Sequence, residues 1–267
     1  DGSESIRAYD NAGRLIKLEH KNQKGSFAKY TITLDQNGSK VKEDYELKSL
    51  ENGKVTKGTK SHEYDALGRL TKSSSKSTVN DLKVPDYTES FTYDKNSNRT
   101  VLNSTLSNVS GVRNVSYKYN QINALTEDSE FNYAYDANGN RTTKIAKNGT
   151  AGYKFGYDLA NNLVEVDSKI GNNVSDFTYR YDALGRSVEK IDNERDSVRN
   201  YLYDTTTYNP ITEKVDSKSV NYMNVDIGSL PEPLVISSST KSGAKTDIDY
   251  YFHDGLGSVV GIIGSTT

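Results

Sequence analysis

The sequence has no cysteine and no tryptophan, four prolines, one methionine and few aliphatic residues. The absence of cysteine excludes disulfides, zinc ribbons and thiol catalysis. Hydrophobic residues make up 33% of the chain, whereas an ordinary globular domain is roughly 45–50% apolar. A thick aliphatic core is therefore excluded. We expect a thin architecture, one sheet layer stabilised by aromatic rows, with much of each face in contact with water.

Charge and hydropathy argue against two classes of partner. Lys and Arg total 34 against 36 Asp and Glu, which gives a net charge of −2 with the two signs interleaved. No basic stripe is present to bind nucleic acid. No apolar run approaches the ~18–20 residues of a membrane span, so we expect none. Residue 1 begins without a signal peptide, and the chain reads as an excerpt from a longer protein.

Tyrosine is abundant, with 20 residues, and much of it lies in one repeated motif. The motif is a tyrosine followed by Asp or Asn and a short turn. Its seven copies are Tyr9–Arg14, Tyr64–Arg69, Tyr93–Arg99, Tyr119–Leu125, Tyr135–Arg141, Tyr157–Leu163 and Tyr181–Arg186. A degenerate eighth unit spans Tyr30–Gly38. A motif recurring at intervals of roughly 20 residues predicts a repeat architecture, which forms surfaces and containers more often than single catalytic pockets.

Each repeat predicts a β-hairpin. Before the turns, aromatic and β-branched residues alternate, as in Phe131, Tyr133 and Tyr135, which is typical of a half-buried strand. Asp or Asn at the start of the turn and Gly or Asn near its end favour a tight reversal. One such hairpin is unstable alone, so successive hairpins must join edge to edge, and sheet twist then coils them. The predicted fold is all-β, with repeated antiparallel hairpins forming a curved or spiralling sheet.

Three segments carry weaker signals. The polar segment from Ser73 to Lys83 is expected at a strand edge or in a loop. The charges of Val188 to Arg199 allow a short helix, but flanking tyrosine-rich strands favour another hairpin. Pro210, Pro231 and Pro233 predict short or edge strands in the last third of the chain.

The copies Tyr64–Leu70 and Tyr181–Arg186 resemble the tyrosine–aspartate (YD) repeat of the Rhs family. That family includes bacterial polymorphic toxins, wall-associated proteins, components of insecticidal toxin complexes, and the teneurins. The last third adds to the resemblance, because Asn209-Pro210-Ile211, Pro233-Leu234 and Tyr250–Val259 are similar to the approach to the Rhs core region. Rhs cores often end in an Asp-Pro-x-Gly self-cleavage motif, whereas this sequence contains no Asp-Pro dipeptide.

The resemblance implies a structural, non-enzymatic segment of a β-shell that encapsulates a C-terminal toxin or other cargo. It implies a YD-repeat array over residues 1–187 and, over 188–267, a β-rich segment leading into the Rhs core region and continuous with the same sheet. The implied partners are the rest of the same polypeptide and its enclosed toxin domain. The implied location is secreted or cell-surface, in a bacterium.

The residues of the turns are interpreted as structural. An Asp and an Arg four residues apart can form an ion pair across the turn, worth ~0–1 kcal/mol when exposed. A ligand-binding ladder of Asp and Arg is the alternative, but the motif recurs with the fold instead of marking one site. The structural turn residues are Tyr64, Asp65, Gly68, Arg69, Tyr135, Asp136, Gly139, Arg141, Tyr181, Asp182, Gly185 and Arg186.

No residues are assigned to catalysis, a cofactor or a metal. Asp94–Asn98 and Asp136–Asn140 begin like calcium loops, but Arg99 and Arg141 stand where such a loop needs Gly. The three histidines are His20, His62 and His253, and they have no metal-ligand spacing. His253 beside Asp254 suggests a general base, but no nucleophile motif accompanies it.

Two further expectations concern surfaces. Exposed tyrosines such as Tyr117, Tyr133 and Tyr179 could bind glycans in an adhesive or carbohydrate-binding module, which is the alternative function. The strand period favours structural tyrosines that form cross-strand aromatic pairs instead. The apolar segment Val259–Ile263 is expected to leave an aggregation-prone edge, as is the strand near Ile6 to Tyr9.

Overall fold

The computed structural model describes residues 4–204, 209–216, 218–226, 231–240, 247–253 and 259–264. These residues contain 22 strands and no helix. The strands are β1 Glu4–Tyr9, β2 Leu15–Asn22, β3 Gly25–Leu34, β4 Lys40–Lys48, β5 Val55–Tyr64, β6 Leu70–Asn80, β7 Tyr87–Tyr93, β8 Arg99–Leu106, β9 Arg113–Tyr119, β10 Leu125–Asp128, β11 Phe131–Tyr135, β12 Arg141–Ala146, β13 Ala151–Tyr157, β14 Leu163–Ile170, β15 Asn173–Tyr181, β16 Ser187–Asp192, β17 Ser197–Tyr203, β18 Pro210–Val215, β19 Lys218–Asp226, β20 Pro231–Thr240, β21 Asp247–His253 and β22 Val259–Gly264. Within this part of the chain, no helix could cross a membrane.

The chain divides into two compact units near residue 118. In the first, β1 to β9 pair antiparallel, each strand with the next. In the second, β10 to β22 pair in the same sequential way. The prediction of an all-β fold of antiparallel hairpins joined edge to edge is confirmed. The division expected between residues 187 and 188 stays a prediction.

The first unit buries one face of its sheet. Leu18 lies opposite Tyr30, and Tyr30 lies opposite Tyr45, so the three side chains form a row across β2, β3 and β4. Their exposures are 1%, 4% and 6%. The expected cross-strand aromatic pair is therefore present here, between Tyr30 and Tyr45.

The second unit is the thin architecture that the composition predicts. Ala146 and Phe252 are the buried hydrophobic residues among those described there. Most aromatic side chains of this unit are half-buried. Because little aliphatic surface is buried, contacts within the sheet must supply much of its stability.

The serine-rich segment from Ser73 to Lys83 was expected at a strand edge or in a loop, and that prediction was wrong for Ser73–Ser75, which lie in β6 between β5 and β7. The stretch from Lys76 to Asn80 also belongs to β6 but pairs with β5 alone, and residues 81–83 lie beyond the end of the strand. Ser73 and Ser75 are buried, and the hydroxyl of each lies near the hydroxyl of a tyrosine. Tyr45 Oη lies 3.4 Å from Ser75 Oγ, and Tyr87 Oη lies 3.3 Å from Ser73 Oγ.

The hairpin expected between Val188 and Arg199 is confirmed, because β16 and β17 pair across this segment. The expectation of short or edge strands at the prolines was wrong for β20, which spans ten residues and pairs with both β19 and β21. Pro210 and Pro231 open their strands, where a missing N–H costs least. Pro233 lies opposite Asn224 of β19, but it precedes the stretch Val235–Ser238, which is the part of β20 that pairs with β21.

Candidate functional site: the tyrosine–aspartate turns

Eight five-residue turns have the same backbone, and we call them the YD turns. In each, the first residue's N–H donates to the fifth residue's carbonyl at 2.9–3.0 Å, and the fourth residue's N–H donates to the first residue's carbonyl. The YD turns are Asp10–Arg14, Asp35–Ser39, Asp65–Arg69, Asp94–Asn98, Asn120–Ala124, Asp136–Asn140, Asp158–Asn162 and Asp182–Arg186. The degenerate unit at Tyr30–Gly38 thus forms a YD turn.

The fourth residue of every YD turn has a positive φ. It is glycine in five turns, among them Gly68 with φ 76° and Gly139 with φ 86°. In the other three turns it is Ser97, Asn123 or Asn161. Glycine has no steric cost in this region and asparagine little, which explains the residue types of seven turns but not Ser97.

The first residue's side chain closes the turn. Asp65 Oδ1 accepts the N–H groups of Leu67 and Arg69 at 3.0 Å each, and Asp65 Oδ2 accepts Arg69 Nε at 2.7 Å. Asp10 with Arg14 and Asp182 with Arg186 repeat this geometry. The backbone N–H of Arg69 and its guanidinium lower the pKa of the Asp65 carboxyl. The structure thus brings Asp and Arg together across these three turns.

Arg141 does not pair with Asp136. The fifth residue of that turn is Asn140, whose Nδ2 donates to Asp136 Oδ2 at 3.0 Å, so the amide occupies the arginine's place. Arg141 is the next residue and begins β12. Its guanidinium carbon lies 4.8 Å from the centre of the Phe155 ring. Comparing the fifth residues of the copies in the sequence would have revealed this one-residue offset.

The tyrosine before a YD turn bonds to the preceding hairpin. In five cases, and likewise for Tyr203 at the end of β17, the hydroxyl donates to the carbonyl of the residue that follows the previous YD turn, at 2.7–3.1 Å. The pairs are Tyr64 with Lys40, Tyr93 with Leu70, Tyr135 with Leu125, Tyr157 with Arg141, Tyr181 with Leu163, and Tyr203 with Ser187. Because this bond recurs from repeat to repeat, the tyrosine hydroxyl has a structural function that phenylalanine could not perform.

The arginine of a YD turn reaches the following turn. The guanidinium carbon of Arg69 lies 4.8 Å from the centre of the Tyr93 ring, and its Nη1 donates to Asp94 O at 3.1 Å. Arg186 repeats both contacts on Tyr203, at 4.9 Å, and on Asp204 O, at 2.7 Å. Arg69 therefore links its own turn to the next one, and Arg186 links its turn to the end of β17.

In the second unit, cations lie against the aromatic rows. Lys144 is directly opposite both Tyr133 and Tyr153, and its Nζ lies 4.0 Å from the centre of the Phe131 ring. Lys190 is opposite Tyr179 and lies 4.2 Å from the Phe177 ring centre. The direct cross-strand partner of these three tyrosines is a cation and not the expected aromatic residue, and cation–π contacts cover the neighbouring ring faces.

Sequence reasoning missed one buried ionic cluster in the first unit. The Glu43 side chain is 1% exposed, and its carboxylate lies 2.9 Å from Lys40 Nζ and 3.0 Å from Lys60 Nζ. Burial alone would raise the pKa of Glu43, but the two ammonium groups outweigh it and lower the pKa. Burial also lowers the pKa of the neighbouring His62. A single Glu among 36 acidic residues carries no sequence signal for this position.

The histidines and the calcium-like segments considered in the sequence analysis form no site among the described residues. Among the described residues, no three metal-ligand side chains come together. The two calcium-like segments are YD turns, whose carboxylates bond to their own backbone. His253 is buried, and Asp254 lies outside the described residues.

A family model described as the teneurin YD-shell matches residues 1–221. The chain belongs to this family. The resemblance to the YD-repeat family is thereby confirmed, and the eight YD turns all lie within the matched residues. The chain is a structural shell segment.

Solved structures share only a weak likeness with this YD-shell chain. It aligns with "TcdB2-TccC3-Cdc42" at TM-score 0.39 and 12% identity, over 97% of this chain and 19% of that one. It aligns with "TcdB2-TccC3" at 0.36 and 12%, over 99% and 16%. A porin-like protein from Bacteroides uniformis aligns at 0.36 and 9%, over 90% and 96%. The chain spans about a fifth of the first two chains. No curated protein gives a significant match.

Proposed function

We propose that the chain is a non-enzymatic wall segment of a larger YD shell that encloses a C-terminal toxin or other cargo domain. Membership of the YD-shell family is the observation that carries this proposal. The turn chemistry supports it, because the carboxylates of Asp65 and Asp182 are bonded within their own turns. Their arginines donate to the backbone carbonyls of Asp94 and Asp204, each of which follows the last tyrosine of a later strand, so these residues hold hairpins together.

The proposed partners are the rest of the shell polypeptide and the enclosed domain. The proposed location is secreted or cell-surface, in a bacterium. The mixed charge, with a net value of −2, is consistent with a wall that avoids strong attraction to nucleic acid.

Protection from proteolysis tests encapsulation. The sample is the longest natural polypeptide that includes this chain, digested with a protease of broad specificity. We expect its C-terminal domain to survive in the wild type and to be cut after Asp65→Ala with Asp182→Ala, which opens two turns. Leu67→Ser with Leu184→Ser is the matched control, because these side chains lie in the same turns and are 73% and 61% exposed. If the C-terminal domain of the wild type were cut as fast as that of the Asp65→Ala, Asp182→Ala variant, encapsulation would be refuted.

Glycan binding stays a prediction as the alternative function. Of the tyrosines named for it, Tyr117 carries the Arg99 guanidinium 4.7 Å from its ring centre, and Tyr133 donates its hydroxyl to Asp128. These contacts occupy groups that a sugar would need. A glycan array probed with wild type and with Tyr179→Ala separates the alternatives. Binding lost in the variant, without loss of melting temperature, would favour adhesion over encapsulation.

A further inference from the structure

The YD turn Asp35–Ser39 lacks the side chain that links other turns to their successors. Its fifth residue is Ser39, where Asp65–Arg69 and Asp182–Arg186 have arginine. Asp35 Oδ1 accepts the Ser39 N–H at 2.8 Å, as in every YD turn. Among the described residues, no side chain bonds to Asp35 Oδ2, the atom that takes the arginine Nε elsewhere.

A polar groove of about 570 Å³ lies beside this turn. Its volume lies within the roughly 300–1,000 Å³ of ligand pockets. Its lining includes Asp35, Ser39, Tyr64, Asp65 and Gly68. The groove thus lies between the second and third YD turns of the first unit.

The lining contains the equivalents of the residues that surround a bound guanidinium one repeat later, although Gly68 lacks the hydroxyl of Ser97. Arg69 contacts the Asp65 carboxylate, the Tyr93 ring, Asp94 O and, at 3.2 Å, Ser97 Oγ. The equivalents of these four residues one repeat earlier are Asp35, Tyr64, Asp65 and Gly68, and all four line the groove. Ser97 and Gly68 are both fourth residues of their turns.

The preceding repeat shows the same direction of reach. Arg14, the fifth residue of the first YD turn, is bonded to Asp10. Its Nη1 lies 3.4 Å from where a Cβ on Gly38 would stand, so the guanidinium extends along the second turn. The second turn therefore receives an arginine from its predecessor but sends none to its successor.

Because Ser39 stands where other turns have arginine, we propose that the groove binds the guanidinium group of an arginine side chain from a partner polypeptide. Asp35 offers a carboxylate to the fork of N–H donors, Asp65 offers a carbonyl, and Tyr64 offers a ring face. Lysine fits less well, since an ammonium cannot bond in two parallel directions or stack flat on the ring. The proposal does not depend on what the shell encloses.

The charges around the groove favour a cation. Glu63 and Asp65 line it together with Asp35. Lys72 lies 3.2 Å from Glu63, and Arg69 is bonded to Asp65. Of these three carboxylates, only that of Asp35 has no ion-pair partner among the described residues. Burial and the negative charge of the Asp35 carboxylate both raise the pKa of the Tyr64 hydroxyl.

Titration with small probes tests the proposal on the full chain. The probes are Nα-acetyl-arginine amide, its lysine analogue and its neutral citrulline analogue, followed by amide NMR shifts. We expect the arginine probe to shift Ser39 and Gly68 with millimolar affinity, and the other two to bind at least ~tenfold more weakly. Equal affinity for arginine and citrulline probes, or no saturable shift, would overturn the proposal.

Three variants remove the site or create a second one. Ser39→Arg supplies the missing side chain and should abolish the shifts, as should Asp35→Asn by removing the charge. Arg186→Ser empties the equivalent place beside Tyr203 in the second unit, so it should create a new set of arginine-dependent shifts there. Binding unchanged in Ser39→Arg, or no new shifts in a folded Arg186→Ser variant, would contradict a guanidinium site.

Discussion

At the scale of single residues, side chains that share one chemical type perform different functions according to their neighbours. Tyr45 fills the space above Gly58, directly opposite on β5, whereas Tyr93 donates its hydroxyl to a neighbouring hairpin. Glu43 is buried between two lysines, whereas Glu63 pairs at the surface with Lys72. Exposure and partners, more than residue type, decide which substitutions matter.

Gly58→Ala should destabilise the first unit. A Cβ there would stand 2.5 Å from Tyr45 Oη and 2.6 Å from the backbone carbonyl of Lys76, so the sheet must shift. Overpacking of this kind costs about 1–3 kcal/mol, which urea unfolding would measure. Gly152→Ala is the matched control, because nothing lies within 4 Å of its added Cβ. A gain of ~0.4–1 kcal/mol is expected there, from lower entropy of the unfolded chain. Equal effects of the two changes would contradict the packing argument.

His62 should make the first unit sensitive to mild acid. Its pKa is lowered by burial and by the Lys40 charge, while Glu43 raises it, and Ser73 faces it from β6. Because the folded state holds this proton more weakly than the unfolded chain, stability should fall as pH drops below about 6.5. His62→Gln should remove that part of the slope in melting temperature against pH. An identical slope in the variant would show that another group titrates.

At the scale of elements, the repeating unit is a hairpin fixed at its YD turn and tied to its predecessor. The turn and strand pattern could be predicted from sequence, because Asp, Gly and alternating aromatics each have a local physical meaning. The tyrosine hydroxyl bonds could not, since they join residues such as Tyr181 and Leu163 that lie in separate strands. The place of Ser39 was also missed, because a serine in a turn gives no signal until its equivalents are superposed.

Tyr93→Phe and Tyr181→Phe should each loosen one junction between hairpins. Each change leaves the aromatic ring in place but removes the donor to Leu70 O or Leu163 O, both at 2.7 Å. The loss of one such bond is worth about 0.5–1.5 kcal/mol, measurable by urea unfolding. Tyr9→Phe is the control, because Tyr9 is 55% exposed and its hydroxyl has no partner among the described residues. If all three variants lose the same stability, the hydroxyl bonds contribute nothing specific.

At the scale of the whole molecule, two units built by one rule differ in how much they bury. The first buries a continuous face around Leu18, Tyr30 and Tyr45. The second relies on contacts between cations and rings, such as Lys144 with Phe131 and Lys190 with Phe177. Composition predicted a thin sheet for the chain as a whole, which fits the second unit, but it could not locate the burial in the first, because 33% hydrophobic residues is an average over both units.

The last strand of the second unit should promote self-association. Among the described residues, β22 pairs only with β21, and its exposed side chains include Val259 at 46% and Ile262 at 59%. An apolar strand with one free backbone edge is a template for another chain. Ile262→Lys should therefore shift sedimentation of the isolated chain toward monomer, since a charge on an edge strand opposes pairing. Ile170→Lys is the matched control, because Ile170 is 50% exposed but lies in β14, between β13 and β15, where no backbone edge is free. A strictly monomeric wild type at high concentration, or equal effects of the two lysines, would show that this edge does not drive association.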